Sequence, residues 1–140
     1  MKDIKTVPGG VTAAKGFEAA AAAARIKYQG RDDMALIYSQ TPCQAAGTFT
    51  TNRVKAAPVK WDQKIVAEAP FVQAVVVNSG IANACTGAEG YGYCEATAKE
   101  CAKVLDVPQS AVLVASTGVI GMQLPIKKLK KGREINLPRP

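Results

Sequence analysis

Two stretches of this chain are short, apolar and β-branched, and each ends abruptly in small polar residues. Phe71 to Val77 stops at Asn78-Ser79-Gly80, and Val112-Leu113-Val114-Ala115 stops at Ser116-Thr117-Gly118. Both predict a buried strand that delivers a polar turn to one end of a sheet. A third apolar run, Met34 to Tyr38, predicts another strand, with Pro42 marking the turn behind it. Between the two strong runs, Cys94, Ala98, Cys101 and Leu105 recur at helical spacing while Lys99, Glu100 and Lys103 fall on the opposite side. That pattern predicts a helix over Tyr91 to Leu105, closed by Pro108.

The remaining segments are patterned less strongly. Pro8 to Thr12 is rich in turn residues, and Phe17 to Ala24 is alanine-heavy, for which propensity predicts a helix. Gly30 breaks the next segment. Ala46 to Asn52 has the Thr and Phe content of a strand. Pro58-Val59-Lys60-Trp61 alternates apolar and polar residues and predicts an edge strand opening on proline. Ile65 to Ala69 reads as a short helical piece. Leu124-Pro125-Ile126 predicts a helix entry with proline near its first turn, capped by Gly132. Residues 133–140 have no periodicity and carry two prolines, so the chain divides into one domain, 1–132, and an irregular tail. The order strand–loop–helix–strand–loop is an α/β pattern. If the two strong strands are parallel neighbours, Asn78 to Gly87 and Ser116 to Gly121 meet at the sheet end where α/β sites usually form.

Composition narrows the chemistry. At 140 residues, 48% hydrophobic and 21% charged, the chain has the profile of a globular domain. Aromatic residues are only 6%, which suits close layer packing more than a pocket built of rings. There is no histidine, so Ser-His-Asp, Cys-His and His-containing metal sites are excluded from this chain. The net charge is +7, part of it in Lys127-Lys128-Leu129-Lys130-Lys131-Gly132-Arg133, read here as a solvated helix face. No aromatics interleave these cations, and they match no nucleic-acid motif.

Cys43, Cys85, Cys94 and Cys101 contain no Cys-x-x-Cys pair. On one helix Cys94 and Cys101 would sit about 10 Å apart along the axis, too far for a disulfide. Met1 opens onto Lys2, Asp3 and Lys5 rather than an apolar stretch, and no apolar run is long enough to span a membrane. The expectation is four reduced, mostly buried thiols in a cytoplasmic protein.

The Ser116-Thr117-Gly118 turn bears directly on function. A hydroxyl and bare backbone N–H groups can converge there on a developing oxyanion, although an ordinary strand-to-loop corner has the same residues. Asn78, Asn83 and Thr86 are candidate substrate-binding residues, with satisfaction of their own loop's backbone as the other reading. Arg53 and Lys55 divide between contact to a substrate carboxylate and solvated surface charge.

Four segments taken together resemble one family: Gly47-Thr48-Phe49-Thr50-Thr51-Asn52-Arg53-Val54-Lys55-Ala56-Ala57-Pro58, Val75-Val76-Val77-Asn78-Ser79-Gly80, Ala82-Asn83-Ala84-Cys85-Thr86-Gly87 and Ala115-Ser116-Thr117-Gly118-Val119-Ile120-Gly121. The chain resembles the N-terminal (α) part of ornithine acetyltransferase, the glutamate N-acetyltransferase of arginine biosynthesis, from about Gly9 to Gly132. The resemblance implies an α/β layered sandwich, helices on two central sheets, incomplete without the β chain. It implies a precursor that cuts itself autocatalytically, an (αβ)2 or higher assembly, and a nucleophilic N-terminal threonine on the β chain.

By the same resemblance, acetyl passes from N-acetylornithine to that threonine and on to glutamate. Thr117 (hydroxyl) and Gly118 (backbone N–H) are then the catalytic oxyanion hole. The resemblance implies no resident cofactor, no metal, no nucleic acid and no membrane, with acetyl-CoA a co-substrate in bifunctional members. A threonine whose own α-amine serves as base is compatible with a chain lacking histidine.

Three departures accompany the resemblance. Family members commonly have asparagine where this chain has Ile81, and glycines near Ala21 and Arg25, so the alanine run is extended by resemblance where propensity makes it helical. The family's cleavage site and catalytic threonine belong beyond Gly132, and residues 133–140 do not match the family's pattern in that region. A truncated or frameshifted product, or a part of a longer protein, fits that mismatch, and this chain alone is expected to be inactive. Two alternatives stand beside this reading: a self-processing aminopeptidase of similar architecture, and a non-catalytic basic binding module.

Overall fold

The computed structural model describes residues 4–126, built on one four-stranded sheet and two α-helices. The strands are β1 (Phe17–Ala22), β2 (Met34–Cys43), β3 (Val72–Asn78) and β4 (Val112–Ser116), in that spatial order. β1–β2 and β2–β3 are antiparallel, whereas β3–β4 is parallel. The helices are α1 (Ala57–Glu68) and α2 (Gly87–Leu105), and short 3-10 turns occupy Val11–Ala13 and Gln109–Ala111. Because β3 and β4 are parallel, the turns that leave them emerge at the same sheet end.

Both helices pack on one face of the sheet. Met34 and Leu36 of β2, Val72, Ala74 and Val76 of β3, and Val112 and Val114 of β4 form the core with Trp61 and Ile65 of α1 and Cys94, Ala98 and Ala102 of α2. On the other face the register aligns Ala19–Ile37–Val75–Leu113 in one row and Ala21–Ala35–Val77–Ala115 in the next. These eight apolar residues are exposed or half-buried, and neither α-helix covers them.

Several expectations are corrected. The alanine run is strand β1, not helix: six consecutive pairings with β2, from Phe17↔Ser39 to Ala22↔Met34, outweigh its helix propensity. Pro58 to Trp61 is the first part of α1 instead of an edge strand. Pro58 sits in the first turn, where its missing N–H costs nothing, and Trp61 and Ile65 bury one turn apart. The piece expected over Ile65 to Ala69 is the end of this same helix, whose carbonyl at Ile65 receives the Ala69 N–H.

Ala46 to Asn52 is irregular and not a strand. There the Asn52 N–H donates to Thr50 Oγ1 and the Val54 N–H to Asn52 Oδ1, so local turns replace a ladder. Pro42 lies inside β2, within the stretch between Tyr38 and Cys43 over which the register with β3 shifts. The helix expected from Tyr91 starts at Gly87. All four cysteines are free thiols, but only Cys94 is fully buried and Cys85 is exposed. The helix expected after Leu124-Pro125-Ile126, with the basic segment, the Gly132 cap and the tail, lies outside the described residues.

Candidate active site

In a parallel strand, alternate residues turn both their N–H and C=O to opposite sides. The ladder with β3 uses the odd residues of β4 and continues past its end, with the Thr117 N–H donating to Asn78 O at 3.0 Å. Val119 N–H then donates to Gly80 O at 3.1 Å, and Ala82 N–H returns to Val119 O at 2.9 Å. Gly121 N–H reaches Ala84 O at 2.8 Å. Four backbone hydrogen bonds therefore lace the two turns together.

The even residues face away from β3. At Val112 and Val114 these outward groups are taken by α1: Trp61 Nε1–H donates to Val112 O at 3.0 Å, and Asp62 Oδ1 accepts the Val114 N–H at 2.9 Å. The next outward N–H beyond the strand is that of Gly118, and among the described residues it donates to no acceptor. The Thr117 hydroxyl likewise has no partner there, and both residues are exposed. Gly118 has φ +130°, and a Cβ on it would stand 2.3 Å from the Gly80 carbonyl carbon. Only glycine lets the two turns approach this closely. The structure thus brings Thr117 and Gly118 together as a pair of adjacent, unspent donors.

The other candidates lie in the same cluster but face inward. Asn78 is buried; its Nδ2 donates to Ile81 O at 2.9 Å and its Oδ1 accepts from Ser116 Oγ at 2.6 Å. Asn83, fully buried, donates from Nδ2 to Gly90 O at 2.9 Å and to Cys94 Sγ at 3.3 Å. Thr86 Oγ1 donates to Asn83 Oδ1 at 2.8 Å. The backbone oxygen of Asn83 also accepts the Ala57 N–H and so ties the start of α1 to this loop. Gly90 is required beside them, since a Cβ there would lie 1.9 Å from Thr86 Oγ1. These three side chains spend their polar atoms on the scaffold. Arg53 is exposed and Lys55 half-buried, just ahead of α1 at the same sheet end.

The sequence reading missed two buried or half-buried carboxylates. Asp33 accepts the Ala24 N–H at 2.7 Å and the Ile26 N–H at 2.6 Å, and its backbone oxygen accepts the Ser79 N–H at 2.9 Å. Burial of the Asp62 carboxyl pushes its pKa up to about 6, against the lowering influence of the Val114 N–H. Burial also pushes the thiols of Cys94 and Cys101 up to about 12, so neither is a nucleophile at neutral pH. No residue pattern pointed to the carboxylates, because their partners are backbone groups. Among the described residues no cluster of Cys, Asp and Glu is arranged to hold a metal ion, and no helix is long and apolar enough to cross a membrane.

A profile of the ArgJ family matches residues 18–137. The chain belongs to the ArgJ family. It is 49% identical over 130 residues to the arginine biosynthesis bifunctional protein ArgJ of Gloeobacter violaceus, covering 93% of this chain and 32% of that protein. With the ArgJ protein of Thermotoga neapolitana it shares 50% over 121 residues, covering 86% of this chain and 30% of that one. The chain thus spans about a third of the length of these curated ArgJ relatives.

Among solved structures, the ornithine acetyltransferase of Mycobacterium tuberculosis, complexed with ornithine, superposes with a TM-score of 0.83 at 46% identity, covering 88% of this chain and 66% of that one. The ArgJ protein of Bacillus halodurans superposes with a TM-score of 0.84 at 40% identity, covering 89% and 64%. The fold is therefore the α/β fold of the ornithine acetyltransferases, present here in part.

Proposed function

We propose that this chain is the α part of a glutamate N-acetyltransferase that moves acetyl from N-acetylornithine to glutamate, and that Thr117 and Gly118 form its oxyanion hole. The observation that carries the reading is the adjacency of two donors unspent among the described residues, the Thr117 hydroxyl and the Gly118 N–H, on a turn whose Ser116 hydroxyl and Thr117 and Val119 N–H groups are consumed. The nucleophile belongs to a partner β chain from the same precursor, an N-terminal threonine with its own α-amine as base. That amine has an ordinary pKa of about 7.7–8.0, so it can accept the hydroxyl proton at neutral pH.

Attack of the threonine oxygen on the acetyl carbonyl carbon places a negative charge on the carbonyl oxygen, which the two donors receive. The C–N bond to ornithine then breaks, the proton goes to the departing amine, and an acetyl ester remains. Glutamate's amine then attacks the ester carbonyl, giving a second oxyanion held by the same donors; the ester C–O bond breaks, the amine's proton passes to the threonine oxygen, and N-acetylglutamate leaves. No metal or resident cofactor enters these steps; acetyl-CoA would act only as an alternative acetyl donor. The uncovered sheet face supports a two-layer assembly, since strand alternation puts the Thr117 side chain on the side of Leu113 and Ala115.

In the assembled two-chain enzyme, Thr117→Ala lowers kcat by about 10²–10³-fold, on the order of 2.7–4 kcal/mol, the usual loss for one oxyanion donor. Acetyl transfer from N-acetylornithine to glutamate measures it, and an unchanged kcat removes Thr117 from the mechanism. The 140-residue chain without a partner shows no transfer.

A further inference from the structure

We infer that Trp61 and Asp62 are positioning residues for the oxyanion turn: together they splint the outer edge of β4, and this fixes where the Gly118 N–H points. The inference rests on the oxyanion reading above. Among the described residues β4 is the outermost strand, paired with β3 alone. An edge strand with free backbone groups shifts and frays more readily than a central one. Here the outward carbonyl of Val112 and the outward N–H of Val114 are both engaged, by consecutive side chains of one helix at 3.0 and 2.9 Å.

The two groups are complementary. Trp61 offers only a donor and meets a carbonyl; Asp62 offers an acceptor and meets an N–H. Their helix is itself anchored. Trp61 is buried and packs its ring 5.8 Å from that of Tyr91 on α2, and the Ala57 N–H at the start of α1 bonds to Asn83 O in the facing loop. The splint therefore refers the edge strand to the same scaffold that holds the Asn78–Gly87 loop. It ends two outward-facing residues before Gly118, so it fixes the strand without covering the donor.

Two readouts test this. The first is amide hydrogen exchange by NMR on the 140-residue chain, comparing Thr117 and Val119 with Leu36 and Val76 in the middle of the sheet. Asp62→Ala should speed exchange at Thr117 and Val119 about tenfold or more while Leu36 and Val76 stay within about twofold. Asp62→Asn keeps an acceptor oxygen and should restore protection; Trp61→Phe keeps the ring and should give an intermediate loosening. Unchanged exchange at Thr117 and Val119 in Asp62→Ala overturns the inference, as does an equal rise at all four amides or failure of Asp62→Asn to restore protection.

The second readout is kinetic, in the two-chain enzyme. Asp62→Ala should lower kcat about tenfold with KM for N-acetylornithine within about twofold, and Asp62→Asn should recover it. An unchanged kcat in Asp62→Ala overturns the positioning role. A loosened turn in a chain whose Thr117→Ala variant is fully active would instead overturn the oxyanion reading and leave the splint standing.

Discussion

The turns at the ends of β3 and β4 are built from the same vocabulary of Asn, Ser, Thr and Gly, yet they do opposite things. After β3, Asn78, Asn83 and Thr86 are buried and turn every polar atom inward. After β4, Thr117 and Gly118 are exposed and keep a hydroxyl and an N–H unspent. One turn is an internal scaffold, and the other is a display mounted on it. A polar turn at a sheet end is therefore not by itself a ligand site; what decides is where its hydrogen bonds go.

Substitutions can break that contrast. The largest effect is expected from Gly118→Ala, which forces a Cβ to 2.3 Å from the Gly80 carbonyl carbon at φ +130°. Unlacing the two turns should cost on the order of 3–5 kcal/mol in urea unfolding, because overpacking adds to backbone strain. Asn83→Ala comes next. It strands the Thr86 hydroxyl in the interior and removes the Asn83 donor to Gly90 O, and the loss should be on the order of 2–3 kcal/mol. Thr117→Ala, in contrast, should change unfolding stability by less than about 0.5 kcal/mol while lowering kcat as stated above, because its hydroxyl bonds to nothing among the described residues. If Asn83→Ala and Thr117→Ala cost the same stability, scaffold and display are not distinct.

A smaller effect sharpens the picture at Asp62. Its folded pKa, about 6, lies above the ordinary value of 3.8, so folding favours the protonated form. Its contribution is most favourable below pH 4 and is lost as pH rises through 6. Asp62→Asn removes that loss. It should raise stability at pH 7 by on the order of 1 kcal/mol after solvent screening is allowed for, and the advantage should vanish by pH 4. Thermal melts at the two pH values measure it, and a pH-independent difference would sink the assignment.

The parts of the fold legible in the sequence were those where apolar run and punctuation coincide. The strands ending at Asn78 and Ser116 and the helix through Cys94 and Ala98 are of that kind. β1 was not legible in its own residues, because a run of alanine becomes strand only through pairing with Met34 to Ser39, and the family resemblance alone pointed to an extended chain there. α1 was half legible: Pro58 begins strands and helices alike, and the burial of Trp61 with Ile65 decides between them. At the site, Thr117 and Gly118 came from a motif. Gly90 was hidden because its reason is a Thr86 hydroxyl four residues away. Asp62 was hidden because its partner is a backbone N–H fifty-two residues on.

The uncovered face is not level. Toward the far end of the sheet its row is Ala19, Ile37, Val75 and Leu113; toward the turns it is Ala21, Ala35, Val77 and Ala115. Side-chain height therefore falls along the strands in the direction of Thr117. Sheets facing each other usually stand about 10 Å apart, a spacing set by the side chains between them. A layer laid on this face is propped up at one end and lowered at the other, so its nearest approach comes beside the Thr117–Gly118 turn.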